Sequence, residues 1–269
     1  MISRDELLLE QAKDVHRDSG LWDETLAERY ARNPDLVALV DETHRNRTDP
    51  DAGYYALSAV VFHADDLPAL RRAAHEIAQG SYWHAKDFAK SPCKSPRIAQ
   101  LNAYAAKHSA LPVTVFQVKL EQIDRMEERA VRDQCLTGLL KHLNEEGIYD
   151  VVADSFPASL AHEQGRDQYV LEDLRAQRDV DARMWLYHAR MGEEPALWVA
   201  DSVAWSMQRH YFGEREGDSA HLAPSLASCA RLKLAPEQHA LGRAPARRML
   251  PFCRGKSVEM PPWSHLPSG

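Results

Sequence analysis

The chain has 269 residues, with 33 Lys+Arg against 40 Asp+Glu, 44% hydrophobic residues and 27% charged ones. These fractions exclude a wholly disordered chain, and the length suits one large domain or two small ones. No apolar run approaches the roughly 20 residues that cross a bilayer, so no membrane partner is expected. The N-terminal stretch MISRDELLLEQAKD lacks the basic start and apolar run of a secretory signal. Cys93, Cys135, Cys229 and Cys253 lie far apart with no CxxC pair, as reduced cytosolic thiols would. A cytoplasmic protein is the expectation.

The net charge of −7 is unevenly spread. Between residues 226 and 256, Arg231, Lys233, Arg243, Arg247, Arg248, Arg254 and Lys256 face a single acid, Glu237. A basic arm on an acidic body suits a polyanion partner, because Lys and Arg release counterions from phosphates. A solvated tail rich in Pro and Arg is the alternative reading.

In chain order, residues 3–31 read as two short helices, with Ser3 and Glu6 in a capping-box pattern and a break at Ser19-Gly20. Asn33-Pro34 ends the second. Leu36–Val40 is a continuous apolar run, the pattern of a strand covered on both faces. Tyr54–Phe62 is a second strand, close enough to form a long-looped hairpin with the first. The spacing of Leu67, Leu70, Ala74 and Ile77 predicts a helix over 65–79. A loop around Trp83-His84-Ala85-Lys86-Asp87 follows, then a helix over 97–108. Further strands are expected at 112–118, 149–154 and 183–188, and further helices at 121–145, 166–177 and 194–211. Beyond Gly213 the pattern decays into Pro-rich chain. Strands alternating with helices in the second half imply a parallel sheet covered by helices.

No GxGxxG, GxxxxGK[ST], GxSxG or HExxH motif is present, which argues against dinucleotide enzymes, P-loop NTPases, α/β-hydrolases and zincins. Three carboxylates stand where apolar residues are expected. Asp41 ends the first buried strand, beside Glu42. Asp154 ends the fourth. Asp201 is the single charge within Ala196–Trp205. Ligands of open α/β sheets gather at the carboxyl ends of strands, where Asp41 and Asp154 would lie. Neighbouring strand residues point to opposite faces, so Asp41 and Glu42 share a site only if the strand has already ended. A buried carboxylate without a counter-charge is costly, and a divalent cation is one remedy. Oxygen ligands select Mg²⁺ or Mn²⁺, and a pair of such ions can cleave a phosphodiester. The alternative is that each Asp caps a helix or pairs with an Arg. His84 and His44 could move protons or ligate metal, or pack as ordinary surface histidines.

Val40-Asp41-Glu42-Thr43, the strand Tyr54–Val61, His84-Ala85-Lys86-Asp87, Val152-Ala153-Asp154-Ser155 and Val199–Ala204 together resemble the bacterial "domain of unknown function 3800" family over residues 36–212. Thr43-His44 stands where that family usually has Ser-Gly, and residues 64–111 insert two helices. The resemblance implies a ribonuclease H-like α/β fold, a mixed five-stranded sheet flanked by helices over 36–213. A helical extension would occupy 1–35 and an irregular basic arm 214–269. It implies Asp41, Asp154 and Asp201 as the acidic core, with Glu42, His84 and Asp87 as accessory candidates; in the expected site Glu42 is a further metal ligand, His84 assists proton transfer and His44 is accessory. The expected function is a Mg²⁺- or Mn²⁺-dependent nuclease of DNA or RNA, with Arg231, Lys233, Arg243, Arg247 and Arg248 on the phosphate backbone. A catalytically inactive binding module and a small-molecule phosphohydrolase are the alternatives. Apolar helices in 3–31 could support a homodimer.

Overall fold

A computed structural model of the chain describes residues 24–32, 35–45, 53–111, 113–120, 125–212, 226 and 230–234. All of these lie in one compact unit, Met1–Pro236, whereas residues 237–269 fall outside the described residues. Helix α1 (Glu24–Arg32) leads into strand β1 (Leu36–Arg45), which pairs antiparallel with β2 (Gly53–His63). Helices α2 (Leu67–Ala78), α3 (Ala85–Ala89) and α4 (Pro96–His108) follow, then β3 (Thr114–Leu120), antiparallel to β2. Helix α5 (Arg125–Glu145), β4 (Asp150–Asp154), α6 (Ala161–Gln177), β5 (Trp185–Ala189), α7 (Leu197–Phe212) and β6 (Arg231–Leu234) complete the order.

The sheet runs β5-β4-β1-β2-β3-β6. β4 is parallel to β1, β5 to β4, and β6 to β3. β1 is therefore central, and its apolar run is explained by helices on both faces. Alternate residues divide between two cores. Val37, Leu39, Ala56, Val60 and Phe62 face α2, α3, α4 and α7. Ala38, Val40, Leu57, Ala59 and Val61 face α5 and α6.

Three departures from the sequence reading have physical reasons. The expected five strands are six, because Arg231–Leu234, in the stretch read as irregular arm, pairs with β3. Its Arg-Leu-Lys-Leu alternation is an edge-strand pattern that four residues are too few to announce. The loop after α2 contains the extra short helix α3, pinned by buried Trp83, Ala85 and Phe88. And β1 does not end at Val40 but continues to Arg45, because β2 supplies partners for its whole length.

Buried polar contacts tie the helices together. Tyr30 Oη and Arg71 Nε donate to Glu194, at 3.2 and 2.9 Å, fixing α1 and α2 to the turn before α7. Asn102 of α4 accepts from Ser202 Oγ and donates to Ser206 Oγ, both on α7. Helix α5 is followed by Gly147 at φ 76°, a left-handed position that glycine fills without strain. No described helix is long and apolar enough to cross a membrane.

Candidate functional site

Three segments distant in sequence bring carboxylates together at the carboxyl edge of β1 and β4. Asp41 shares the face of Val37 and Leu39, under α7. Val40 registers with Ala153 in the parallel β1–β4 pair, so Asp154, the last residue of β4, lies beside Asp41 on the same face. Asp201 comes down from α7 and is 6% exposed. The chain leaves β1 towards β2 on one side, and β4 adds on the other. That reversal of strand order is where α/β sheets open a crevice.

The proximity has electrostatic consequences. Burial pushes the Asp41 carboxyl well above the usual carboxylate range, and the charges of Asp201, Asp154 and Glu42 push it further. Burial likewise raises Asp154 to about 6, with help from Asp201 and against the backbone N–H groups of Ser155 and Met191. Asp201 is raised by burial, and moderated by the Ala85 N–H that it accepts at 2.7 Å and by the nearby His84. Crowded, dehydrated carboxylates resist ionising together.

Two buried polar atoms at this cluster complete no hydrogen bond of good geometry among the described residues. Ser58 registers directly opposite Asp41 in β2, is 0% exposed, and its Oγ bonds to nothing. Trp83 Nε1 lies close enough to Asp201 to favour its ionised form, yet completes no hydrogen bond. Unsatisfied buried groups are rare and ask for a solvent or ligand partner. The donor set is all oxygen, which fits Mg²⁺ or Mn²⁺. Among the described residues, no three His, Cys, Asp or Glu side chains are gathered tightly enough to hold one metal ion. The carboxylates thus converge without forming a closed cage.

Glu42 points to the other face, as strand parity requires. Its carboxylate accepts from Tyr55 Oη and, at 3.1 Å, from Arg132 Nε. Arg132 also forks onto Asp167, which His188 Nε2 meets at 2.9 Å, and its guanidinium lies 4.7 Å above the Phe156 ring. A cavity of about 110 Å³ lined by Asp41, Glu42, Leu57, Arg132, Asp154 and Phe156 opens beside both groups. It has room for several waters.

The remaining expected residues are placed as follows. His84 is exposed, at the start of α3 beside Asp201. Asp87 is exposed and engaged by Tyr82 Oη and Lys90 Nζ. His44 lies in β1 opposite Tyr55. Arg231 and Lys233 sit on β6, with β2 and β3 between them and β1, and Lys233 Nζ meets His142 Nδ1 at 2.8 Å. Arg243, Arg247 and Arg248 lie outside the described residues, as does the expected helix before Ser19.

Sequence reasoning missed Ser58, Trp83, Arg132, Asp167 and His188. A signal existed for two of them. Arg132 lies on the stripe of Cys135, Leu136, Leu139 and Leu143, and Asp167 on that of Leu171 and Leu174, so each is a charge on an otherwise apolar helix face.

No protein-family profile matches this chain, and no curated protein does. The resemblance to the domain of unknown function 3800 therefore stands on its short motifs. Among solved structures, the chain is similar to "Bst-RNase HIII in complex with Mn2+", at 9% identity and a TM-score of 0.35. That likeness covers 67% of this chain, which spans about half (53%) of the other protein's length.

Proposed function

We propose that the chain is a metal-dependent phosphodiester hydrolase acting on nucleic acid, on a ribonuclease H-like fold. The observation that carries this reading is the convergence of Asp41, Asp154 and Asp201 from β1, β4 and α7 at one end of the sheet. Support for the fold comes from the sheet itself, an antiparallel meander β1-β2-β3 extended on its other side by β4 and β5, both parallel to β1.

In this reading Asp41, Asp154 and Asp201 are the residues that would hold a divalent cation. The chemistry that Mg²⁺ or Mn²⁺ would supply there is activation of a water and stabilisation of the leaving oxygen. Glu42, on the opposite face, is a positioning residue that locks the end of β1 to Arg132 and Tyr55. His84, exposed at the rim, gives a proton to the leaving oxygen. Arg231 and Lys233, with Arg243, Arg247 and Arg248 after them in the sequence, contribute contacts to the phosphate backbone.

The test is cleavage of labelled single-stranded DNA, duplex DNA, RNA and RNA–DNA hybrid with Mg²⁺, Mn²⁺ or EDTA, beside Asp154→Asn. Cleavage that needs metal and disappears in the folded variant is expected. Cleavage surviving EDTA or the substitution overturns the reading.

The open arrangement of the carboxylates favours a second reading, a nucleic-acid-binding scaffold without catalysis. Binding of nucleic acid with no Mn²⁺-dependent rise in Tm would select it.

A further inference from the structure

We infer that residues 81–97, between α2 and α4, form the surface that holds a nucleic-acid strand against the carboxylates. The inference rests on the proposed function and names a phosphate-binding surface beside the site, distinct from the C-terminal arm.

The segment carries Lys86, Lys90, Lys94 and Arg97 against one acid, Asp87, in a chain whose net charge is −7. It is fixed to the candidate site by the Ala85 N–H to Asp201 Oδ2 bond at 2.7 Å, and Lys86 is the next residue. Trp83 and Phe88, 2% and 3% exposed, anchor it into the core with their rings 4.3 Å apart. That anchoring leaves Tyr82, His84, Lys86 and Lys90 facing solvent.

The charge on this surface is available. Arg29, Arg71, Arg129, Arg132, Arg166 and Arg183 are each held by a carboxylate. In the 81–97 segment only Lys90 is, among the described residues, through Asp87. Lys86 has no ion-pair partner among the described residues. Arg97 donates to neutral acceptors, the Ala78 carbonyl and the Gln79 side chain, and keeps its full charge. Lys94 lies 5.1 Å from the Phe88 ring centroid. Uncompensated cations beside a cluster of crowded carboxylates are the arrangement a phosphate backbone needs to approach acids that would otherwise repel it.

One further observation points to a ligand here. Tyr82, 58% exposed, presents a ring among the lysines, and aromatic faces interleaved with cations are how single strands are held, each unpaired base stacking on a ring.

The test is binding of a short fluorescent single strand, followed by anisotropy in EDTA so that no cleavage intervenes, across a salt series. It compares the full chain with Lys86→Glu/Lys94→Glu and with an equal-charge control, Lys107→Glu/Arg178→Glu, on exposed positions of α4 and the end of α6. The first pair is expected to weaken binding by roughly tenfold or more and to flatten the slope of log affinity against log salt by about 1.4, two lost phosphate contacts. The control is expected to stay within about twofold of the parent. Tyr82→Ala is expected to weaken single-strand binding and to spare a duplex of the same sequence. Equal losses in both charge pairs, or none in the first with the fold intact by circular dichroism, overturn the inference while leaving the proposed function standing. Failure of the parent chain to bind any nucleic acid overturns both.

Discussion

Asp41 and Ser58 face each other across the β1–β2 register, one a carboxyl whose ionisation is suppressed and the other a fully buried hydroxyl with no hydrogen-bond partner among the described residues. Neither is explained by packing. A valine or alanine at 58 would fill the strand as well, and a buried hydroxyl left unbonded costs about 1–3 kcal/mol.

Ser58→Ala should therefore leave the metal-free protein as stable as the parent or more stable by about 1 kcal/mol, since it removes an unsatisfied group. In the presence of Mn²⁺ the same variant should show a smaller rise in Tm than the parent, because Asp41, the proposed cation ligand, would lose the hydroxyl opposite it. Thermal melts in EDTA and in Mn²⁺ check both halves. A loss above about 2 kcal/mol in EDTA would mean that Ser58 has a structural partner.

Asp154 carries a pH signature. Its folded-state pKa of about 6 lies above the unfolded value of roughly 3.9, so the folded state holds the proton more tightly. Stability from this group is present in full below about pH 4 and is lost as pH rises through about 6. Asp154→Asn mimics the protonated acid. In EDTA it should match the parent near pH 4 and exceed it by up to about 3 kcal/mol at pH 8, with the difference opening between pH 4 and 6. Denaturant melts at several pH values read this directly. Adding Mn²⁺ at pH 8 should shrink the gap by stabilising the parent alone.

Across the sheet, Arg132 is the hub of a buried network joining Glu42, Asp167, Tyr55 and His188. Removing one partner of such a set strands the others. Arg132→Met should cost about 3–5 kcal/mol, with Asp167 left charged and buried. Arg132→Met with Asp167→Asn should recover part of that loss, because the stranded charge is gone. A double-mutant cycle by chemical denaturation measures the coupling. Independent, additive losses would show that Arg132 and Asp167 do not act together.

Much of the frame was legible because it is written locally. The run Leu36–Val40, the hairpin to Tyr54–Phe62 and the strand at Asp150–Asp154 each announce themselves within ten residues, and because β1 runs on to Arg45, strand parity turns Asp41 and Glu42, both expected as metal ligands, to opposite faces. The three carboxylates stood out because each interrupts an apolar stretch. What was hidden is non-local. β6 becomes a strand only because β3 offers an edge more than a hundred residues earlier in the chain. Helix α3 exists because Trp83 and Phe88 find the core. Ser58 looks like any strand serine until the register sets it against Asp41.

Asp201 has two jobs that substitution can separate. Its charge belongs to the carboxylate cluster, while its Oδ2 accepts the Ala85 N–H and so holds the start of α3 in place. Asp201→Asn keeps an oxygen acceptor and removes the charge. It should preserve the position of α3 and stabilise the metal-free fold, since a crowded ionisable group is gone. Asp201→Ala removes the acceptor as well and leaves a buried backbone N–H unpaired, at a cost of about 1–3 kcal/mol. Hydrogen exchange at the Ala85 amide distinguishes them. The amide should exchange slowly in the parent and in Asp201→Asn, and should lose protection by roughly tenfold or more in Asp201→Ala, the equivalent of about 1.4 kcal/mol of local opening. Because the lysines at 86, 90 and 94 ride on that segment, Asp201→Ala should also weaken single-strand binding in EDTA where Asp201→Asn does not. Equal exchange in both variants would mean that Trp83 and Phe88 alone fix the segment, and that the hydrogen bond to Asp201 contributes nothing to its position.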